Sequence, residues 1–130
     1  MLGHASIYDK SDPQDGGWRV LVMRHWPRGV RKDRIDVWLR DAGPSRALLK
    51  AYHAGEVDWP EFEQRYRSEI LDDRPGVLEV VRQLEREHAR VTLLCHERMP
   101  PEVHCHRLVL LDLLKSTSEE HNHTRQSGAA

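Results

Sequence analysis

A chain of 130 residues with 38% hydrophobic and 32% charged side chains has the composition of one charge-rich globular domain. Its net charge of -1 argues against a wholesale nucleic-acid binder, which is normally basic, although local basic patches remain. Two cysteines exclude a disulfide-dense secreted scaffold. No run approaches the ~18 apolar residues of a membrane span, and MLGHASIYDK carries no basic flank followed by an apolar core. The expectation is a cytoplasmic protein without a signal peptide or membrane contact.

Residues 4–9 (HASIYD) read as a short first strand, and KSDPQDGG at 10–17 as a loop. Val20, Leu21, Val22 and Met23 form an unbroken apolar run, which suits a strand covered on both faces. Arg24 and His25 stand at its end. The loop at 27–34 (PRGVRKDR) follows. Arg24, Arg28, Arg31, Lys32 and Arg34 make this region basic. Ile35, Trp38 and Leu39 then have the spacing of a short helical turn, which Gly43 and Pro44 stop.

A helix starts at Pro44–Ser45, carries Leu48, Leu49 and Tyr52, and ends at Gly55. Trp59, Phe62, Tyr66 and Ile70 form the inner face of a second helix, with Asp58 as N-cap and Pro60 in the first turn. A third helix after Pro75 turns Val77, Leu78, Val81 and Leu84 inward. The apolar stretch 91–94 leads into Cys95 as a second buried strand. The last helix is expected over about 102–114, apolar around most of its circumference through Leu108 to Leu114. That suits deep packing or a homodimer contact. The domain is expected to occupy 1–115, with 116–130 (STSEEHNHTRQSGAA) a disordered polar tail.

Buried apolar strands separated by helices predict an α/β fold: a small, mainly parallel sheet of three or four strands flanked by four or five helices. In such sheets ligands bind beyond the carboxyl ends of the strands. Arg24–His25 and Cys95–His96 end the two central strands, so they share one rim if those strands are neighbours.

Several chemistries compete at that rim. Cys95 is a candidate nucleophile, since nearby cations lower a thiol pKa, but a cysteine ending a buried strand also serves as a small core residue. The sixth residue after it is Pro101, where a cysteine-phosphatase loop needs Arg. Cys105, His106 and Arg107 open a helix whose free N–H groups favour an anion. Arg24, Arg28, Arg98 and Arg107 are the candidate anion-binding cations. Cys95, His106 and His25 are the candidate catalytic groups.

Cys95, His96, His104, Cys105 and His106 are also metal-ligand types, but without zinc-finger spacing. No metal and no cofactor is expected. A Cys95–Cys105 disulfide is disfavoured in a reducing cytosol. Trp59, Phe62 and Tyr66 read as core. His53 either faces the rim or favours its helix C-terminus.

The segments RVLVMRHWPRGV, DVWLRDAGPSRALLKAYHAG, WPEFEQRYRSEI, VTLLCHE and CHRLVLLDLL resemble, in order, the YeaO-like family of small bacterial proteins, a domain of unknown function. The resemblance covers most of residues 18–114 and implies an α/β fold without an established substrate. Its strand commonly reads VDRLWPRG, so Met23 stands where Asp is usual and His25 where Leu is usual. Asn-His is common where this chain has Cys105 and His106. The resemblance thus shifts weight to Arg24, Arg28 and His106.

The resulting expectation is an anion pocket for a phosphate or nucleotide-like molecule at the strand rim. The alternatives are a non-enzymatic module that binds nucleic acid or protein through the basic loop 24–34, and a Cys/His metal or redox sensor.

Overall fold

A computed structural model describes residues 2–8, 17–96 and 105–116. Four strands form one sheet: β1 (Leu2–Ser6), β2 (Trp18–Leu21), β3 (Val37–Trp38) and β4 (Val91–Cys95). Their spatial order is β1-β4-β2-β3 and every pairing is parallel. The fold is therefore α/β, as the two apolar runs predict. The last strand in sequence lies between the first two, so β2 and β4 are neighbours, with Leu21 opposite Leu94. All five residues of β4 are buried, which is why its sequence shows no polar alternation.

The helices are α1 (Arg46–His53), α2 (Trp59–Ser68), α3 (Gly76–His88) and α4 (residues 106–116). Local chemistry sets their ends. The Ser45 hydroxyl accepts from Leu48 N at 3.1 Å, and the Asp58 carboxylate from Glu61 N at 3.0 Å. Pro60 occupies the first turn of α2, where its missing N–H costs nothing. A widened π-type turn, Glu69–Asp73, continues α2 and keeps Ile70 buried.

Two clusters fill the two faces of the sheet. The larger joins Val20, Val22, Val91 and Leu93 to Phe62, Tyr66, Val81, Leu110 and Leu114 of the helices. The smaller gathers Ile7, Leu21, Met23, Leu94, Cys95 and Cys105 beneath Trp26, Val30, Ile35 and Trp38. A loop rather than a helix layer thus covers that second face. On α4, Val109, Leu110, Leu113 and Leu114 are all buried within the chain's own core.

Residues 35–39 depart from the expected helical turn. A 3₁₀ turn occupies Lys32–Arg34, and Val37–Trp38 pairs with β2 as the fourth strand. Asp36 N donates to Arg19 O at 2.9 Å and Leu39 N to Leu21 O at 2.8 Å. The open edge of β2 offers backbone partners that an isolated helical turn of this length cannot match, and tertiary pairing overrides the local spacing. The first strand lies two to three residues earlier than 4–9, and α4 begins later than 102. Arg98, His104 and the tail from 117 lie outside the described residues. No helix among the described residues is long and apolar enough to cross a membrane.

Candidate functional site at the strand rim

The carboxyl ends of β1, β2 and β4 meet at one rim, where Val22 N donates to Leu94 O and Ile7 N to Cys95 O, each at 2.9 Å. A cavity of about 140 Å³ opens beside the ends of β2 and β4. Its apolar lining comes from Met23, Leu49, Tyr52, Trp59 and Phe62, and its polar lining from Arg24, His25, His53, His96 and His106. This volume lies below the ~300–1,000 Å³ of sites for drug-sized ligands, so it suits a small molecule or one end of a larger one.

The loop 41–45 holds Arg24 against this wall. Its Nε donates to Pro44 O and its Nη2 to Gly43 O, both at 3.1 Å, and its Nη1 pairs with Asp41 Oδ1 at 3.3 Å. That loop is itself held. Arg74 Nη1 donates to Gly43 O at 2.9 Å, and the Glu69 carboxylate accepts from Ser45 N at 2.9 Å and Arg74 Nη2 at 3.0 Å. Gly43 is required by proximity, because a Cβ there would lie 2.5 Å from the backbone N of Arg24. The guanidinium is a fixed feature of the wall rather than a free arm.

The WPRG turn is also fixed. Trp26 packs edge-on to Trp38 with centroids 5.4 Å apart and donates from Nε1 to Val30 O at 2.9 Å. Gly29 takes a φ of 79°, which favours glycine. Tyr8 Oη donates to Arg28 O at 2.7 Å and ties the turn to β1. The side chain of Arg28 is exposed and does not line the cavity. Arg24 and Arg28, both expected to bind the anion, are therefore not brought together, because the turn that fixes the Arg28 backbone leaves its side chain outside. Arg31 also stays on the surface, paired with Asp33 at 3.2 Å.

His106 sits in the first turn of α4 and reaches β2. Its Nε2 lies 2.6 Å from Val22 O. A carbonyl only accepts, so Nε2 carries the proton and Nδ1 is the basic nitrogen. Its ring also packs edge-on to Tyr66 at 5.6 Å. Burial pushes the His106 imidazole down to about 4, despite the opposing bond to Val22. It is neutral at pH 7, so a proton-transfer role near neutrality does not suit it. Burial likewise pushes the Tyr66 hydroxyl far above its usual range; it donates to Ala42 O.

The remaining predicted residues separate. Arg107 is fully buried and donates from Nη1 to Ala5 O at 2.6 Å, so it braces β1 rather than facing the cavity. Cys95 and Cys105 are buried below the wall with their Sγ atoms 2.9 Å apart. Neither sulfur lines the cavity, which shields Cys95 from a ligand there. Among the described residues no three His, Cys, Asp or Glu side chains converge as a metal site.

Of the expected set, the fold brings Arg24, His25 and His106 together and adds His53, His96, Tyr52 and Trp59. Of these additions, His96 is signalled by its place at the end of the second buried strand and His53 by its place at a helix end. Trp59 and Phe62 read as core because a core face and a cavity floor share the same periodicity.

A family model described as the active DUF488-N3 subclade matches residues 3–118, and the chain belongs to that family. An uncharacterized protein of Mycobacterium tuberculosis H37Rv, Rv3073c, is 44% identical over 70 residues, which is 52% of this chain and 58% of the relative. The uncharacterized protein YeaO of Escherichia coli K12 is 39% identical over 66 residues, 49% of this chain and 56% of YeaO. The YeaO-like resemblance holds, and the matched stretch spans somewhat over half the length of these relatives. No solved structure matches the chain.

Proposed function

We propose that this member of the DUF488-N3 subclade binds a small anionic molecule with an apolar or planar body, such as a phosphorylated metabolite or nucleotide fragment, in the cavity at the ends of β2 and β4. The observation that carries the reading is the mixed lining of one small cavity, in which Arg24 and four imidazoles share the wall with Tyr52, Trp59 and Phe62. The pinned guanidinium supplies permanent positive charge without further ordering. The exposed imidazoles of His25, His53 and His96 supply donors, and additional charge when protonated. The aromatic rings in the lining accept the body of the ligand. Neutral His106 offers an acceptor and holds the shape of the cavity through Val22. The description of the matching subclade as active supports a working site.

Titration with inorganic phosphate and with adenosine monophosphate, followed by tryptophan fluorescence and calorimetry, tests the reading. Saturable binding is expected, tighter for the nucleotide than for phosphate. His53→Ala and His96→Ala are each expected to weaken it about fivefold through loss of one hydrogen bond. Absence of saturable binding by either anion, or indifference to both substitutions, overturns the assignment.

A further inference from the structure

The two cysteines lie directly beneath the cavity wall, and the ligand reading makes no use of them. Cys95 closes β4 and Cys105 stands one position before α4. They are 0% and 2% exposed, among Ile7, Leu21, Met23 and Leu94. The sulfurs are 2.9 Å apart, between the ~2.04 Å of a disulfide bond and an ordinary non-bonded sulfur contact. Each cysteine is followed by a histidine, and both histidines, His96 and His106, line the cavity. A change of bonding between the sulfurs acts on two wall residues at once.

The two sulfurs share one hydrogen bond in which either can donate. The Cys105 thiol is pushed up, first by that bond to Cys95 and then by burial.

We propose that Cys95 and Cys105 form a redox-active dithiol that closes to a disulfide under peroxide, and that closure remodels the cavity through His96 and His106. Either sulfur can begin the sequence; when Cys95 does, its thiolate attacks hydrogen peroxide, forming an S–O bond as the O–O bond breaks, and the departing hydroxide leaves as water with the proton that Cys95 gave up. The Cys105 sulfur then attacks the sulfenic sulfur of Cys95. The S–S bond forms, the S–O bond breaks, and a second water leaves with the Cys105 proton. Two thiols and one peroxide yield one disulfide and two waters. The short separation favours the second step over further oxidation of Cys95. Burial makes the first step depend on local opening, so the pair rests reduced in a reducing compartment and responds to oxidant. Bond formation is independent of the proposed ligand; only an effect on ligand affinity rests on that reading.

The full chain is treated with hydrogen peroxide, quenched, denatured and alkylated with iodoacetamide, and its intact mass is measured. The expected product has lost two hydrogens, takes up no alkyl group, and takes up two after reduction. Cys95→Ser and Cys105→Ser should each abolish it, and Cys→Ala replacements serve where serine prevents folding. Amide and imidazole NMR of the reduced and oxidised forms should show the largest shifts at His96, His106 and Tyr66, reversed by dithiothreitol. Two alkylated thiols after peroxide, or a sulfinic acid in place of the disulfide, overturns the dithiol. A disulfide that leaves those resonances unmoved overturns the coupling. Anion affinity measured separately on the reduced protein judges the ligand reading alone.

Discussion

The dipeptide Cys-His occurs twice, at 95–96 and 105–106, and its two copies have opposite environments. Both cysteines are buried. His96 follows the end of an inner strand, where the chain leaves the sheet, and its side chain is exposed. His106 begins a helix that packs back onto the sheet, and it is only 8% exposed, with Val22 O as partner and Tyr66 against its ring. The same two residue types thus yield one imidazole open to solvent and one held neutral. The difference comes from the direction of the next element, not from the dipeptide. In the lining of the cavity, His106 is thus the buried, fixed imidazole and His96 the exposed one.

Substitution at the buried copy sharpens this contrast most. His106→Ala removes a buried ring and leaves Val22 O without its donor, and should cost about 3–4 kcal/mol in denaturant-derived stability. A loss below about 1 kcal/mol would show that the ring is not packed as described.

Acid comes next. His106 falls from its ordinary 6.5 to about 4 in the folded protein, so the unfolded chain binds the proton more readily between those values. Its stabilising contribution is complete above about pH 6.5, is lost as pH falls toward about 4, and is constant below that. Up to about 3 kcal/mol is at stake over this window. His106→Gln should flatten that part of the pH–stability curve.

Tyr66→Phe follows, with an expected loss of about 1–2 kcal/mol as Ala42 O loses its hydroxyl donor. If the fold survives, the resonances of the His106 ring should move with it. The smallest effect belongs to the exposed copy. His96→Ala should change stability by no more than about 0.5 kcal/mol, so its effect on anion binding can be read without a folding correction.

Much of the fold is legible in the order of residues. The unbroken apolar run at 20–23 and the stretch 91–95 identify buried strands, because a strand covered on both faces has no polar alternation to display. Asp58–Trp59–Pro60 and Ser45 mark helix starts, because their side chains satisfy N–H groups that a helix leaves open. The short strand at Val37–Trp38 was hidden, since two residues carry no periodicity and their pairing depends on an edge supplied by β2.

The site is legible only in outline. The placement of Arg24, His25 and the Cys-His pairs at strand ends follows from chain order and the parallel rule. Sequence has no means to show that Arg24 is pinned by Pro44 and Gly43, that Arg28 stays outside, or that Arg107 turns inward to Ala5. The two pinned guanidiniums rest on backbone carbonyls brought in from positions 19 to 102 residues away. Local sequence encodes propensity, capping and burial, because these act within a few residues. Charge state and direction of a side chain belong to the tertiary structure, because desolvation and hydrogen bonding depend on neighbours that only folding supplies.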